Sequence, residues 1–87
     1  MHEFWLIDDL MRKIESIARD QGAGRVVSHK VKLGALSHIS AEHFGEHFEA
    51  AARGTIAEGG RLEIETLTDE SDPHAQDILL DSVELED

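Results

Sequence analysis

Met1, His2 and Glu3 carry the most readily interpreted chemistry in this chain. A free α-amine followed directly by histidine offers three nitrogens from two residues: the amine, the deprotonated amide of His2 and its imidazole. Nickel(II) and copper(II) favour such tetragonal nitrogen sets and zinc(II) favours tetrahedral ones, so geometry points to nickel or copper. The Glu3 amide or a partner could supply a fourth donor. Alone, a Met-His start is a short motif that also arises by chance, and it needs a second line of support.

Other residues offer competing chemistries. His43, Glu46 and His47 spell H-x-x-E-H, the spacing at which two histidines one helical turn apart hold zinc while the glutamate acts as base. Catalysis there would need a third protein ligand, an open coordination position and a cleft, for which a chain this short has little material. On a helix with Phe44, Phe48 and Ala51 inward, both histidines flank the core, and an adventitious metal is the most the pair is expected to take. His29 reads as a satisfied core or edge histidine and His38 as a turn residue. His74, beside Asp72 and Asp77 in an acidic loop, is a possible additional donor to the N-terminal site. Ser28, Ser37 and Ser82 lack a G-x-S-x-G context, and Gly22-Ala23-Gly24 leaves a helix instead of entering one, so neither a serine nucleophile nor a phosphate loop is expected.

The elements that must position these groups follow from hydrophobic period. Leu6, Ile7, Leu10, Met11, Ile14, Ile17 and Ala18 recur at helical spacing, predicting an amphipathic helix over residues 4 to 21, ended by Gly22 and Gly24. Val27, His29, Val31 and Leu33 alternate with polar residues on one face of a strand, closed by Gly34. Ser40 caps a second helix, 41 to 53, with Gly54 at its end. Leu62 to Leu67 and Leu79 to Glu86 read as strands with period two, and 68 to 77, which contains Pro73, as a loop.

The order is α-β-α-β-β, and the simplest α+β solution lays two helices on one face of a three-stranded sheet. Strand direction cannot be read from these patterns. The short connection before the last strand favours at least one antiparallel pair, so a mixed sheet is expected.

Composition narrows the function. Eighty-seven residues suggest one domain spanning 1–87, with about 60 to 65% of the unfolded surface buried. No apolar run is long enough for a membrane helix, and Asp8 and Asp9 interrupt any secretory leader, so a cytoplasmic protein is expected. The chain has no cysteine, which excludes thiolate zinc sites and cysteine nucleophiles. A net charge of −11 argues against nucleic acid. From Leu62 to Asp87 there are ten carboxylates and no Lys or Arg, a solvated surface or one that meets a basic partner or a cation.

An ordered set of blocks carries a family resemblance: Met1-His2-Glu3, then Arg25-Val26-Val27, Val31-Lys32-Leu33-Gly34-Ala35-Leu36-Ser37, Phe48-Glu49 and Gly54-Thr55-Ile56-Ala57-Glu58-Gly59-Gly60-Arg61-Leu62-Glu63-Ile64. Together these resemble the nickel-binding domain of the HypA family of hydrogenase-maturation metallochaperones, from residue 1 to about 66 and again at Asp81–Glu86. The resemblance implies a nickel site at Met1, His2 and Glu3 with His2 giving the imidazole. It also implies partners of two kinds, a maturation GTPase of HypB type and a hydrogenase large-subunit precursor. Methionine is expected to remain in place before so large a second residue. Two departures stand out. The loop 68–77 occupies the place of the family's zinc domain with its paired C-x-x-C motifs, so zinc is not predicted, and Ala35 replaces a usually acidic residue.

Three readings follow. The first is a non-enzymatic nickel metallochaperone that depends on a free N-terminus and His2. The second is a metal-free interaction module of the same family, docking through Trp5, the first helix or the acidic tail. The third is a metallohydrolase using His43, Glu46 and His47. Oligomeric state is open in all three.

Overall fold

The structure, a computed structural model, describes the backbone of residues 2–86 and the side chains of 6–86. Helix α1 (His2–Asp20) is followed by strand β1 (Arg25–Leu33), helix α2 (Ala41–Ala52), β2 (Arg61–Thr66) and β3 (Ile78–Glu86). This is the expected α-β-α-β-β order. The sheet has the order β2-β1-β3, with β1 parallel to β2 and antiparallel to β3. It is therefore mixed, as expected, but the antiparallel pair is not the one across the short 67–77 connection. That segment instead carries the chain past the end of β1, from one sheet edge to the other.

Hydrogen bonds tie the crossing to β1: the Leu67 amide donates to the Leu33 carbonyl, Gly34 to Asp77 and Leu36 to Ala75. Gly34 is required because a Cβ there would run into the Ala75 carbonyl. The other connection, β1-α2-β2, joins parallel neighbours, which need a crossover element long enough to return the chain.

α1 buries Ile7, Leu10, Met11, Ile14 and Ala18 and leaves Leu6 and Ile17 more than a third exposed, so the apolar stripe is narrower than the spacing predicts. At 100° per residue, Leu6 and Ile17 lie together on one flank of the buried arc. The helix stops in a paired cap: Ala23 N–H donates to the Ala18 carbonyl, Gly22 N–H to Arg19, and Gly22 takes φ 66°, the left-handed value glycine adopts without strain. In α2 the Ser40 Oγ accepts the His43 N–H at 3.1 Å, satisfying an otherwise orphan donor, while Phe44, Phe48 and Ala52 face inward.

β1 departs from simple alternation. Val26 pairs with Leu85 and Ser28 with Glu84, so Val27 is an extra residue in the ladder, and a second irregularity falls between Lys30 and Val31. The first bulge lets Val26 and His29, of opposite parity, both join the helix side. Val26, not Val27, is the buried residue, which corrects the expected face assignment. The remaining inward positions Val31 and Leu33 pack with both helices and with Leu62, Ile64, Leu80, Val83 and Leu85.

Candidate metal centre

Of the residues expected to form an N-terminal chelate, His2 and Glu3 open α1. Met1 lies outside the described residues, as do the side chains of His2 and Glu3; the backbone is helical from His2 onward. The first four N–H groups of an α-helix have no acceptor within the helix. The amides an N-terminal chelate would use are therefore those whose loss of a proton breaks no turn of α1. The helix dipole opposes a cation at that end by about 0.3–1 kcal/mol. An amide that binds as an anion works against that penalty.

His74 lies in the 67–77 crossing, where its backbone N–H donates to Asp72 Oδ1 at 2.7 Å and its Nδ1 meets Asp77 Oδ2 at 2.9 Å. The ring is held through Nδ1 by a carboxylate, the arrangement that commonly orients a histidine whose Nε2 binds metal. In the same loop Ser71 donates to Asp69 Oδ1 from both Oγ, at 2.6 Å, and N–H, at 3.0 Å. Those bonds hold the Asp69 carboxyl below its ordinary pKa.

The structure brings His43 and His47 together, with Nε2 to Nε2 3.0 Å and ring centroids 4.4 Å apart at an interplanar angle of 77°. Among the described residues, no group of three His, Asp or Glu side chains is placed to hold an ion.

His29 departs from the expectation of an ordinary satisfied histidine. It is 2% exposed, its ring lies against Phe48 with centroids 4.6 Å apart, and its Nδ1 has no hydrogen-bond partner among the described residues. Burial pushes its pKa below the ordinary histidine value, so the ring is neutral in the fold. It sits at the wall of a half-open cleft of about 560 Å³ lined also by Phe48, Glu49, Arg53, Gly60 and Leu62. Gly60 permits this approach: a Cβ there would lie 2.8 Å from the Val26 carbonyl and 3.1 Å from His29 Cε1. The sequence placed His29 on the apolar face, but depth and the missing partner are properties of the packed helices. The Gly59-Gly60 pair ahead of β2 was the available signal of close approach.

The acidic C-terminal third meets much of its basic complement inside the chain. Arg25 pairs with Glu86 at 3.8 Å, Lys30 with Glu65 at 3.7 Å and Lys32 with Asp81 at 3.6 Å, all across β1 and its neighbours. Ser28 Oγ, itself buried, donates to Glu84 Oε1 at 3.1 Å across β1 and β3.

Residues 1–72 match the family model described as hydrogenase/urease nickel incorporation, metallochaperone, hypA. A hydrogenase maturation factor HypA from Methylocella silvestris is 41% identical over 70 residues, 80% of this chain and 62% of that protein. One from Rhodopseudomonas palustris is 44% identical over 64 residues, 74% of this chain and 57% of its own. The chain thus spans about three-fifths of the length of these curated relatives. The solution structure of the nickel metallochaperone HypA from Helicobacter pylori has the same fold, with a TM-score of 0.80 at 16% identity over 97% of both chains.

Proposed function

This chain belongs to the HypA family, and from that premise we propose that it is a non-enzymatic nickel metallochaperone binding Ni(II) through Met1, His2 and Glu3. The observation that carries the reading is that the family match starts at residue 1 and so takes in the Met-His-Glu start. The chemistry of the ligands supports it independently: amine, amide and imidazole nitrogens suit a tetragonal ion. The helical start at His2 supports it too, because the amides concerned are orphan donors.

Nickel is the cargo. The amine, the imidazole and the participating amide must all be deprotonated, so capture releases protons and strengthens as pH rises. His74 is the candidate for a further donor, its ring oriented by Asp77. Delivery proceeds by ligand exchange to a maturation GTPase of HypB type or a hydrogenase large-subunit precursor, in the cytoplasm. Residues 1–87 form a single nickel-binding domain in which the 68–77 loop replaces a zinc module, and no zinc is required. Among the described residues no helix is long and apolar enough to cross a membrane.

The test is a calorimetric and absorption titration of Ni(II) into protein with its native N-terminus, beside His2→Ala and a form with one extra leading residue. One-to-one binding with a square-planar spectrum, lost in both altered forms, is the expected result. Weak binding indifferent to both changes overturns the assignment and favours the metal-free interaction module.

A further inference from the structure

We infer that the cleft between α2 and the start of β2 is a binding site for a small uncharged aromatic alcohol, whose ring packs on Phe48 and whose hydroxyl bonds to the His29 imidazole. The inference goes beyond nickel handling and does not rest on it. The cleft has a volume of about 560 Å³, within the range of about 300–1,000 Å³ usual for small-molecule sites, which are mostly apolar with a few polar groups that fix orientation. Its deep surface is made by His29, Phe48, Ala52 and Ala57, each at most 5% exposed. Of these only His29 has a side chain that can form a hydrogen bond.

The Nδ1 of His29 is buried with no hydrogen-bond partner among the described residues, a condition that a ligand supplying the bond would relieve. Cε1, the ring corner between the two nitrogens, faces the Gly60 turn on the cleft wall: a Cβ at Gly60 would stand 3.1 Å from it. A hydroxyl seated in that place comes within reach of a ring nitrogen. Neutral imidazole offers one donor and one acceptor, and a hydroxyl both accepts and donates, so either tautomer is matched. Phe48 is tilted at 45° to His29 with centroids 4.6 Å apart, and a further aromatic ring extends that contact in offset or edge geometry. Gly45 and Gly60 give the walls backbone in place of side chains, which leaves a slot for a flat body. Charge selects against ions. The exposed mouth sets Glu49 and Glu58 against Arg53 on a chain of net charge −11, which opposes anions. Glu58 is already engaged with the Gly54 N–H at 3.3 Å, and the apolar floor opposes any charged group that must leave water.

Phenol is the probe, with toluene as the same ring without the hydroxyl, each titrated into the full chain while the ring signals of His29 and Phe48 are followed by NMR. Saturable one-to-one binding of phenol that moves both sets of signals is expected. In His29→Phe, which keeps a ring against Phe48 and removes both nitrogens, phenol should bind at least fivefold more weakly while toluene binds no more weakly than to the parent. Gly45→Leu occupies the cleft from α2. A Cβ there meets only Ile64 Cδ1 beyond its own helix, at an ordinary 3.9 Å, and leucine favours a helix over glycine, so the fold is retained and phenol should bind at least fivefold more weakly. Circular dichroism checks both variants. Phenol that fails to saturate, or that Gly45→Leu holds within fivefold of the parent, overturns the site. A loss of less than fivefold for phenol in His29→Phe, or a parallel loss for phenol and toluene, overturns the role of the imidazole and with it the class of ligand. Benzoate binding as tightly as phenol overturns the choice of an uncharged one.

Discussion

Along β1, one face turns Val26, His29, Val31 and Leu33 onto the helices, while the other turns Lys30 and Lys32 toward acidic side chains of β2 and β3 and toward water, with the buried Ser28 hydroxyl donating to Glu84. On the inner face a polar atom has lost water and gained no hydrogen-bond partner among the described residues, as at His29 Nδ1. On the outer face each charge keeps water and gains a partner 3.6 to 3.7 Å away. A buried unsatisfied group costs about 1–3 kcal/mol, whereas an exposed ion pair returns about 0.2–1 kcal/mol. The inner face therefore carries the stability, through apolar burial large enough to tolerate His29, and the outer face sets charge complementarity among the strands.

Phe44→Ala gives the largest expected effect. Phe44 is fully buried and stacks on Phe48 with centroids 5.7 Å apart. Loss of its ring should destabilise the fold by about 3–5 kcal/mol, enough to leave so small a chain substantially unfolded. Denaturant titration measures this, and a loss below about 1 kcal/mol would mean that the inner face does not dominate. Gly60→Ala comes next. Its Cβ would meet the backbone carbonyl of Val26 at 2.8 Å and His29 Cε1 at 3.1 Å, so backbone must shift, at a cost of about 1–3 kcal/mol. An unchanged midpoint would show that the approach of the Gly59-Gly60 turn to β1 is looser than these distances indicate.

How much of this contrast the sequence reveals depends on the level asked. Helix and strand order was legible because α1, α2 and the strands each carry their period, and Ser40 and Gly22 mark real helix ends. The bulge was not, because Val26 and Val27 are the same residue type and polarity cannot say which faces in. Nor was the placement of β2 and β3 on opposite edges, since a period of two carries no direction. Leu6 and Ile17 failed as core residues because the contact of α1 with its neighbours is narrower than its apolar arc. For the candidate sites, sequence supplied residue types and spacing. The H-x-x-E-H spacing is visible in it, but the contact between the two rings is a rotamer property, and the lack of a partner for His29 Nδ1 among the described residues is a property of depth.

The pH response sharpens the contrast from the inner side. Burial lowers the folded pKa of His29 beneath its unfolded value, so below the unfolded value the unfolded chain takes up a proton that the fold refuses. Stability is therefore unaffected by His29 at neutral pH and above. It declines as pH falls through the unfolded histidine value toward the lower folded one, by at most about 1.4 kcal/mol per pH unit. Stability measured at pH 7.5 and at pH 5.5 should fall more in the parent than in His29→Phe, which keeps an aromatic ring against Phe48 and cannot titrate there. Equal falls would mean that His29 finds a proton acceptor in the cleft beside Glu49 and Glu58.

The smallest effect belongs to the outer face and tests the other half of the comparison. Lys32 Nζ and Asp81 Oδ1 are 3.6 Å apart with about a third of each side chain exposed, and Asp81 lies at the second irregularity of the β1–β3 ladder. If pairing across this face only balances charge, a double-mutant cycle of Lys32→Ala and Asp81→Ala should return a coupling of about 0.2–1 kcal/mol that shrinks with added salt. A coupling above about 2 kcal/mol that resists salt would require the pair to act as a partly buried unit, holding β3 in its shifted register. In that case the acidic C-terminal third would be a structural element of the sheet, and its charge would not be available to a basic partner. A small, screened coupling leaves those carboxylates exchangeable, so that a basic surface on another protein could compete for them without unfolding the sheet.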